Sequence, residues 1–205
     1  VLDSSGNAFA DAVTMQADAG DEAFGNITFV DSAAVDFDSS ASADGDLFID
    51  AGTDGAVGGN LSVTATTGNI TQNVALAVTG TSSFTTSASN GTITLSEITN
   101  ALTGAVGLGT TGSSGNATVV NASDLDLAAS TVGGTLSATA TTGDITDSGT
   151  LTITGAATFI TGATGSDIVL DSSGNAFADA VTMQADAGDE AFGNITFVDS
   201  AAVDF

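Results

Sequence analysis

Residues 1–37 and 169–205 of this chain are identical, each reading VLDSSGNAFADAVTMQADAGDEAFGNITFVDSAAVDF, at an offset of 168. Two globular domains copied within one chain drift apart in their surface residues. Identity this complete points to a recent tandem array. A long fixed period also demands an architecture in which each unit contacts its neighbours along one axis. The chain therefore reads as one full tandem repeat, 1–168, followed by the start of the next identical repeat, 169–205, in a frame that opens and closes in mid-repeat.

A second, diverged repeat lies inside the first. LSVTATTGNIT at 61–71 matches LSATATTGDIT at 136–146 in nine of eleven positions, an offset of 75. At the same offset Ile93 and Leu95 align with Ile168 and Leu170, Val106 and Leu108 with Val181 and Met183, and Leu102 with Phe177. One repeat thus contains a 75-residue module starting near 59 and a 93-residue module starting near 134. The longer carries an insertion around DSSASADGDLFID, which adds a short strand at 47–49. What the modules share is alternation: Leu61, Val63 and Ala65 on one face, Ser62, Thr64 and Thr66 on the other. Alternation over four or five positions, broken by Gly, Asn, Asp and Ser, predicts short strands and turns. Nothing apolar recurs at helical spacing, and Thr, Val, Ile, Gly, Ser and Asn are weak helix formers.

Strands recur every roughly 8 to 17 residues, the close spacing of an all-β chain. Asn-Gly and Asp-Gly hairpin pairs do not regularly separate the apolar pulses, and an endless repeat extends naturally when each coil covers the open edge of the one before. The expected fold is all-β: a parallel β-helix (β-solenoid) of short strands, about 20 residues per coil, continuous across tandem repeats.

Composition removes most chemistry. The chain has no Lys, Arg, His, Cys, Pro, Trp or Tyr. That leaves no ordinary general base near neutral pH, no Schiff base and no thiolate. It also leaves no phosphate clamp and no electrostatic hold on nucleic acid. No apolar run approaches the length of a membrane-spanning helix. Of the 25 acidic residues, seven belong to the second copy, leaving 18 per repeat, of which 12 fall in residues 1–54. At about 20 residues per coil, one repeat makes about eight coils and advances roughly 40 Å at the ~4.8 Å spacing of strands. Its charge density, about one per 2.2 Å, then approaches the ~1.7 Å of duplex DNA. Cations, calcium among them, are expected as counterions able to bring rods together laterally.

The blocks GGNLSVTATTGNITQNVALAVTGTSSFTT (58–86) and STVGGTLSATATTGDITDSGTLTITGAATF (130–159) resemble repeats of giant bacterial surface proteins, the filamentous haemagglutinin type of adhesin. The resemblance implies a right-handed parallel β-helical shaft, export across the outer membrane and a place at the cell surface. The perfect period favours a regular filament over an adhesin shaft.

Candidate sites have bland explanations that outweigh the chemical ones. Asp44, Asp46, Asp50 and Asp54 could offer oxygens to calcium, but match neither the EF-hand loop nor the calcium β-roll nonapeptide, and read as a solvated turn. Asn26, Asn60, Asn69, Asn90, Asn116 and Asn121 head glycosylation triplets, which arise readily in so Thr-rich a chain, and Asn also suits turns and amide ladders. The pairs Thr64/Thr66, Thr79/Thr81, Thr139/Thr141 and Thr152/Thr154 are too irregular for ice binding and reflect strand preference. Carboxylate pairs could cut sugars, but a groove without Arg, Lys, His, Trp or Tyr lacks the usual sugar contacts. Phe9, Phe24, Phe29, Phe37, Phe48, Phe84 and Phe159 read as core fillers between coils. No catalytic, cofactor-binding or metal residue is expected. The sequence thus predicts a non-catalytic structural repeat of a long extracellular filament or stalk on a microbial cell, joined end to end with identical repeats. The alternative is an adhesin shaft or binding module that attaches cells to a surface, matrix or other cells.

Overall fold

The computed structural model describes residues 1–9, 13–15, 25–37, 47–49, 57–185 and 192–201. Those residues hold short strands and no helix. One sheet contains, in spatial order, β2 (Ile27–Asp31), β5 (Leu61–Ala65), β8 (Ser82–Ser89), β11 (Val106–Thr111), β13 (Leu125–Leu127), β16 (Ile145–Asp147), β19 (Ile168–Leu170) and β22 (Ile195–Phe197). Branching from β11 in the same sheet are β14 (Ser130–Val132), β17 (Leu151–Ile153) and β20 (Ala176–Phe177). A second sheet stacks β3 (Val35–Phe37), β6 (Ile70–Gln72), β9 (Ile93–Leu95), β12 (Ala117–Asn121), β15 (Leu136–Ala140), β18 (Ala157–Thr161) and β21 (Val181–Ala185). Two small pairs, β7 (Ala77–Val78) with β10 (Ala101–Leu102) and β1 (Val13–Met15) with β4 (Leu47–Ile49), complete the set.

Every described pairing is parallel and joins one coil to the next. The fold is the β-solenoid that the alternation predicts. A typical turn carries three short strands, as in β5–β6–β7 or β16–β17–β18. Inward positions fill a continuous core: Leu61, Val63 and Ala65 are buried, Ser62 and Thr64 only partly so, and β15 repeats the pattern with Leu136, Ala138 and Ala140. A one-residue slip would turn every one of these side chains to the wrong face, so the alternation fixes the register.

Along the larger sheet, residue numbers of successive partners rise by 34 from Ile27 to Leu61, by 21 to Ser82, by 24 to Val106 and by 21 to Leu127. From Leu125 they rise by 20 to Ile145, by 23 to Ile168 and by 27 to Ile195. Ile27 and Ile195 are the same residue in successive copies, and seven steps separate them. Turns of about 20 residues, at the short end of solenoid periods, do occur, as from Ala117 to Leu136 and Leu136 to Ala157. The mean over one 168-residue repeat is nonetheless 24, because the steps leaving β2 and β3 lengthen to 34 and 35. Seven turns rather than eight shorten the expected rise to about 34 Å, or one charge per ~1.9 Å.

The two modules do not sit on the same sides of the rod. Leu61–Ala65 lies in the larger sheet, whereas its counterpart Leu136–Ala140 lies in the second; Ile70–Gln72 and Ile145–Asp147 exchange the other way. The shift happens at β11. This six-residue strand pairs with β8 on one side, with a register shift between Gly109 and Thr111, but on the other meets both β13, through Val106 and Leu127, and β14, through Gly109 and Thr131. One strand on this side thereby gives way to two, and the internal 75-residue offset amounts to three turns plus one side. The 168-residue period, in contrast, returns Ile27 to its own sheet as Ile195.

Candidate functional site: ladders along the rod and its open edge

The shared block LSxTATTGxIT can be read atom by atom. After the strand Leu61–Ala65, Thr66 Oγ1 donates to the carbonyl oxygen of Asp31 at 3.1 Å, and Thr67 Oγ1 donates to that of Ser32, both in the previous turn. In the second module Thr141 Oγ1 donates to the Ala122 carbonyl at 2.8 Å, and Thr142 Oγ1 donates to the same oxygen. The glycine that follows lies against the previous coil. A Cβ on Gly68 would stand 2.5 Å from the Ala34 backbone, and one on Gly143 would overlap Asp124 Oδ1. Next, Asn69 Oδ1 accepts from Thr92 N at 2.9 Å, and its counterpart Asp144 accepts from Asp167 N at 2.8 Å. Hydroxyl, glycine and Asx thus each bind one coil to another.

The Asx contact recurs at the start of several other strands. Asn26 caps Asn60 N, Asn60 caps Thr81 N and Asn116 caps Thr135 N, all at 2.8–2.9 Å. Asp124, Asp144 and Asp167 form one continuous column, each carboxylate accepting the backbone N–H of the next turn and ending on Asn194. Five of the glycosylation-triplet asparagines, Asn26, Asn60, Asn69, Asn90 and Asn116, are exposed members of such caps. Asn121 is fully buried: its Nδ2 donates to Leu102 O and Asp124 O while its Oδ1 accepts from Leu102 N.

Asn121 belongs to a buried polar spine that the sequence reading missed. Asn100 Oδ1 accepts from Leu76 N at 2.8 Å, and its Nδ2 donates to Gln72 Oε1 at 3.1 Å and Val120 O at 3.0 Å. In the second module Asn175 and Asp147 take the places of Asn100 and Gln72. Asn175 Oδ1 accepts from Leu151 N at 2.8 Å and its Nδ2 donates to Asp147 Oδ2 at 2.6 Å. These amides satisfy backbone groups at the corners, where no strand ladder reaches them. The signal was available: Asn-Ala followed by Leu or Phe recurs at 100 and 175, the offset that relates the two modules.

Of the phenylalanines read as core fillers, Phe29, Phe37, Phe84 and Phe159 are buried in the core and Phe9 packs against it. Phe9 stacks on Phe29 at 5.4 Å, Phe37 meets Phe84 edge-on at 6.0 Å, and Phe159 meets Phe177 edge-on at 6.1 Å. Phe24 and the side chain of Phe48 lie outside the described residues, as do Asp44, Asp46, Asp50 and Asp54. Among the described residues no group of three His, Cys, Asp or Glu is placed to hold a metal ion, and no helix is long and apolar enough to cross a membrane. The threonine pairs divide between roles: Thr66 and Thr141 hold the previous coil, while Thr152 is exposed on β17. An apolar notch of about 230 Å³, lined by Thr152, Ile153, Thr154, Ala176, Phe177, Ala178 and Ala201, opens beside β20.

The duplicated segment supplies its own control. Ile27 is 3 % exposed, its strand flanked by Leu2 on one side and β5 on the other. Ile195, the same residue one repeat later, is 48 % exposed, and among the described residues β22 pairs with β19 alone. The pairing it keeps is the same in both copies: Leu2 lies opposite Phe29 as Leu170 lies opposite Phe197. The difference is one missing neighbour.

A stack of parallel coils held by inter-turn ladders, periodic in sequence and returning to phase after each period, defines a β-solenoid repeat protein. Residues 44–109 and 114–184 both match the family described as Repeats of unknown function (DUF5649), and the chain belongs to that family. No curated protein and no solved structure matches it.

Proposed function

We propose that this chain is a structural repeat of a long extracellular filament or stalk on a microbial cell surface, acting mechanically and without catalysis. The observation that carries the reading is the phase of the repeat. Ile27 and Ile195 occupy the same sheet, so successive repeats continue one rod with no joint. Strand hydrogen bonds run along the axis of such a rod, and tension is shared among the several ladders that cross each inter-turn plane. An acidic surface without Lys or Arg suits exposure outside a cell, being soluble, self-repelling and devoid of trypsin sites.

Imaging native cell-surface fibres tests the proposal. An axial period of about 34 Å along unbranched rods supports it. Intracellular retention of the protein, or fibres without that period, overturns it. Specific binding of isolated repeats to a host or matrix surface at physiological salt would instead favour an attachment module.

A further inference from the structure

One buried carboxylate has no partner for its charge. Asp31, the last residue of β2, is fully buried. Its Oδ1 accepts from Ala33 N at 3.3 Å, and its Oδ2 accepts from no donor. An ionised carboxylate only accepts hydrogen bonds, and burying it without a compensating charge is costly. The chain contains no Lys, Arg or His to supply that charge.

An equivalent corner shows what surrounds Oδ2. NITFVDSAAVDF at 26–37 lines up with NATVVNASDLDL at 116–127, which puts Asp31 where the other corner has Asn121. The hydrogen bonds agree. Asn7 Nδ2 donates to Val30 O and Asn7 O accepts from Ser32 N, just as Asn100 Nδ2 donates to Val120 O and Asn100 O accepts from Ala122 N. From the following turn, Thr66 N and Oγ1 both donate to Asp31 O, as Thr141 N and Oγ1 do to Asn121 O. At Asn121, Nδ2 donates to two carbonyl oxygens, those of Leu102 at 3.1 Å and Asp124 at 2.7 Å. The counterparts of those two residues are Phe9 and Ala34. Asp31 therefore sets a third oxygen where Asn121 sets a donor. Asp199, the same residue one repeat later, keeps this orientation above a complete preceding coil: Phe177 N donates to its Oδ1 at 3.4 Å, as Leu102 N does to Asn121 Oδ1.

We propose that Asp31 Oδ2 and the carbonyl oxygens of Phe9 and Ala34 form a site for a small hard cation, recurring once in every 168-residue repeat. Carboxylate and carbonyl oxygens together, completed by water, are the ligands that calcium takes. Ala34 is exposed, so that side of the corner is open to water and ions. The ion supplies the missing positive charge and ties Phe9 in one coil to Asp31 in the next. The site differs from the diffuse ion atmosphere of the rod in being saturable and in depending on one side chain.

Calcium titrations of the full chain at physiological salt test it, by calorimetry and by thermal melts. The expected result is a saturable ion that raises the melting temperature by several degrees. Asp31→Asn puts at this corner the donor that Asn121 carries at the other. It should lose the saturable ion and melt above the calcium-free wild type. Asp171→Asn removes an exposed carboxylate, the same unit of charge, and should keep the ion. If Asp31→Asn still binds the saturable ion, or Asp171→Asn loses it too, calcium acts only as a diffuse counterion and the proposal is overturned. It is equally overturned if no ion binds at millimolar calcium; stabilisation of the wild type by mild acid alone would then mean that a proton fills the place.

Discussion

Ile27 and Ile195 allow burial to be weighed with almost everything else held constant. Each sits third in the run GNITF, within the same 37-residue segment, so intrinsic strand preference and local unfolded-state structure cancel between them. The folded environments differ in exposure, 3 % against 48 %, with Ile27 covered by Leu61 and Ile195 resting on Ile168. Truncating a fully buried isoleucine to alanine costs ~3 kcal/mol, from lost transfer free energy plus the cavity left behind. At Ile195 roughly half the side chain already meets water and no lid closes over the cavity, which reduces the cost to about 1 kcal/mol. Ile27→Ala should therefore destabilise the chain by ~2 kcal/mol more than Ile195→Ala. Urea titration followed by far-UV circular dichroism measures this directly, at concentrations low enough to avoid association. Because solenoids can open turn by turn, amide exchange at Ile27, whose N–H donates to Asn60 O across the β2–β5 edge, and at Ile195 gives the same comparison locally. Costs within about 0.5 kcal/mol of each other, a difference too small for the area involved, would refute the reasoning. In a chain carrying two complete repeats, Ile195 becomes internal and its cost should rise to that of Ile27.

Asn100→Ala should cost ~3 kcal/mol, because it strands Leu76 N, Val120 O and the Gln72 amide inside the core. Asn116→Ala, which returns only the exposed Thr135 N–H to solvent, should cost less than ~1 kcal/mol; equal denaturation midpoints for the two would count against the buried spine. Gly143→Ala forces a methyl into Asp124 and should prevent the adjoining coils from closing. Gly165→Ala meets no neighbouring atom and carries only the ~1 kcal/mol strain of its positive φ, so the two variants should separate clearly in thermal melts. One charge per ~1.9 Å of rod predicts that millimolar calcium raises the melting temperature and that chelator reverses the rise. Melts indifferent to both would show that the charges are too dispersed to condense ions.

The sequence showed the strands and the inward face, because a period of two written in Leu, Val and Ile against Thr and Ser admits one burial pattern; parallel stacking was favoured only by the scarcity of hairpin pairs and the exact repeat, and the structure bears it out. It did not show the turn length. Spacing between apolar pulses counts sides of the coil and not whole turns, so the one long turn, which separates β2 from β5 and β3 from β6, was invisible. Nor did it show that the modules occupy different sides. LSVTATTGNIT and LSATATTGDIT make the same contacts with whichever coil lies beneath, and nothing in them names a face. The Asx ladder was half legible: Asn26, Asn60, Asn69 and Asn116 were recognised as turn residues, but that each holds the following coil emerges only once the coils are stacked. The buried role of Asn121 was hidden by its resemblance to the exposed asparagines around it.

The difference between the two periods bears on how such a gene changes length. Unequal crossing-over between identical 168-residue units removes or inserts seven whole turns, so every strand meets the partner it had before and the product folds as its parent did. A crossover between the similar blocks of the two modules would set three turns and one side against a rod that needs whole turns. A change in length by whole 168-residue units thus keeps every strand on its own side of the rod, whereas a change by one 75-residue module moves each strand after it to the next side.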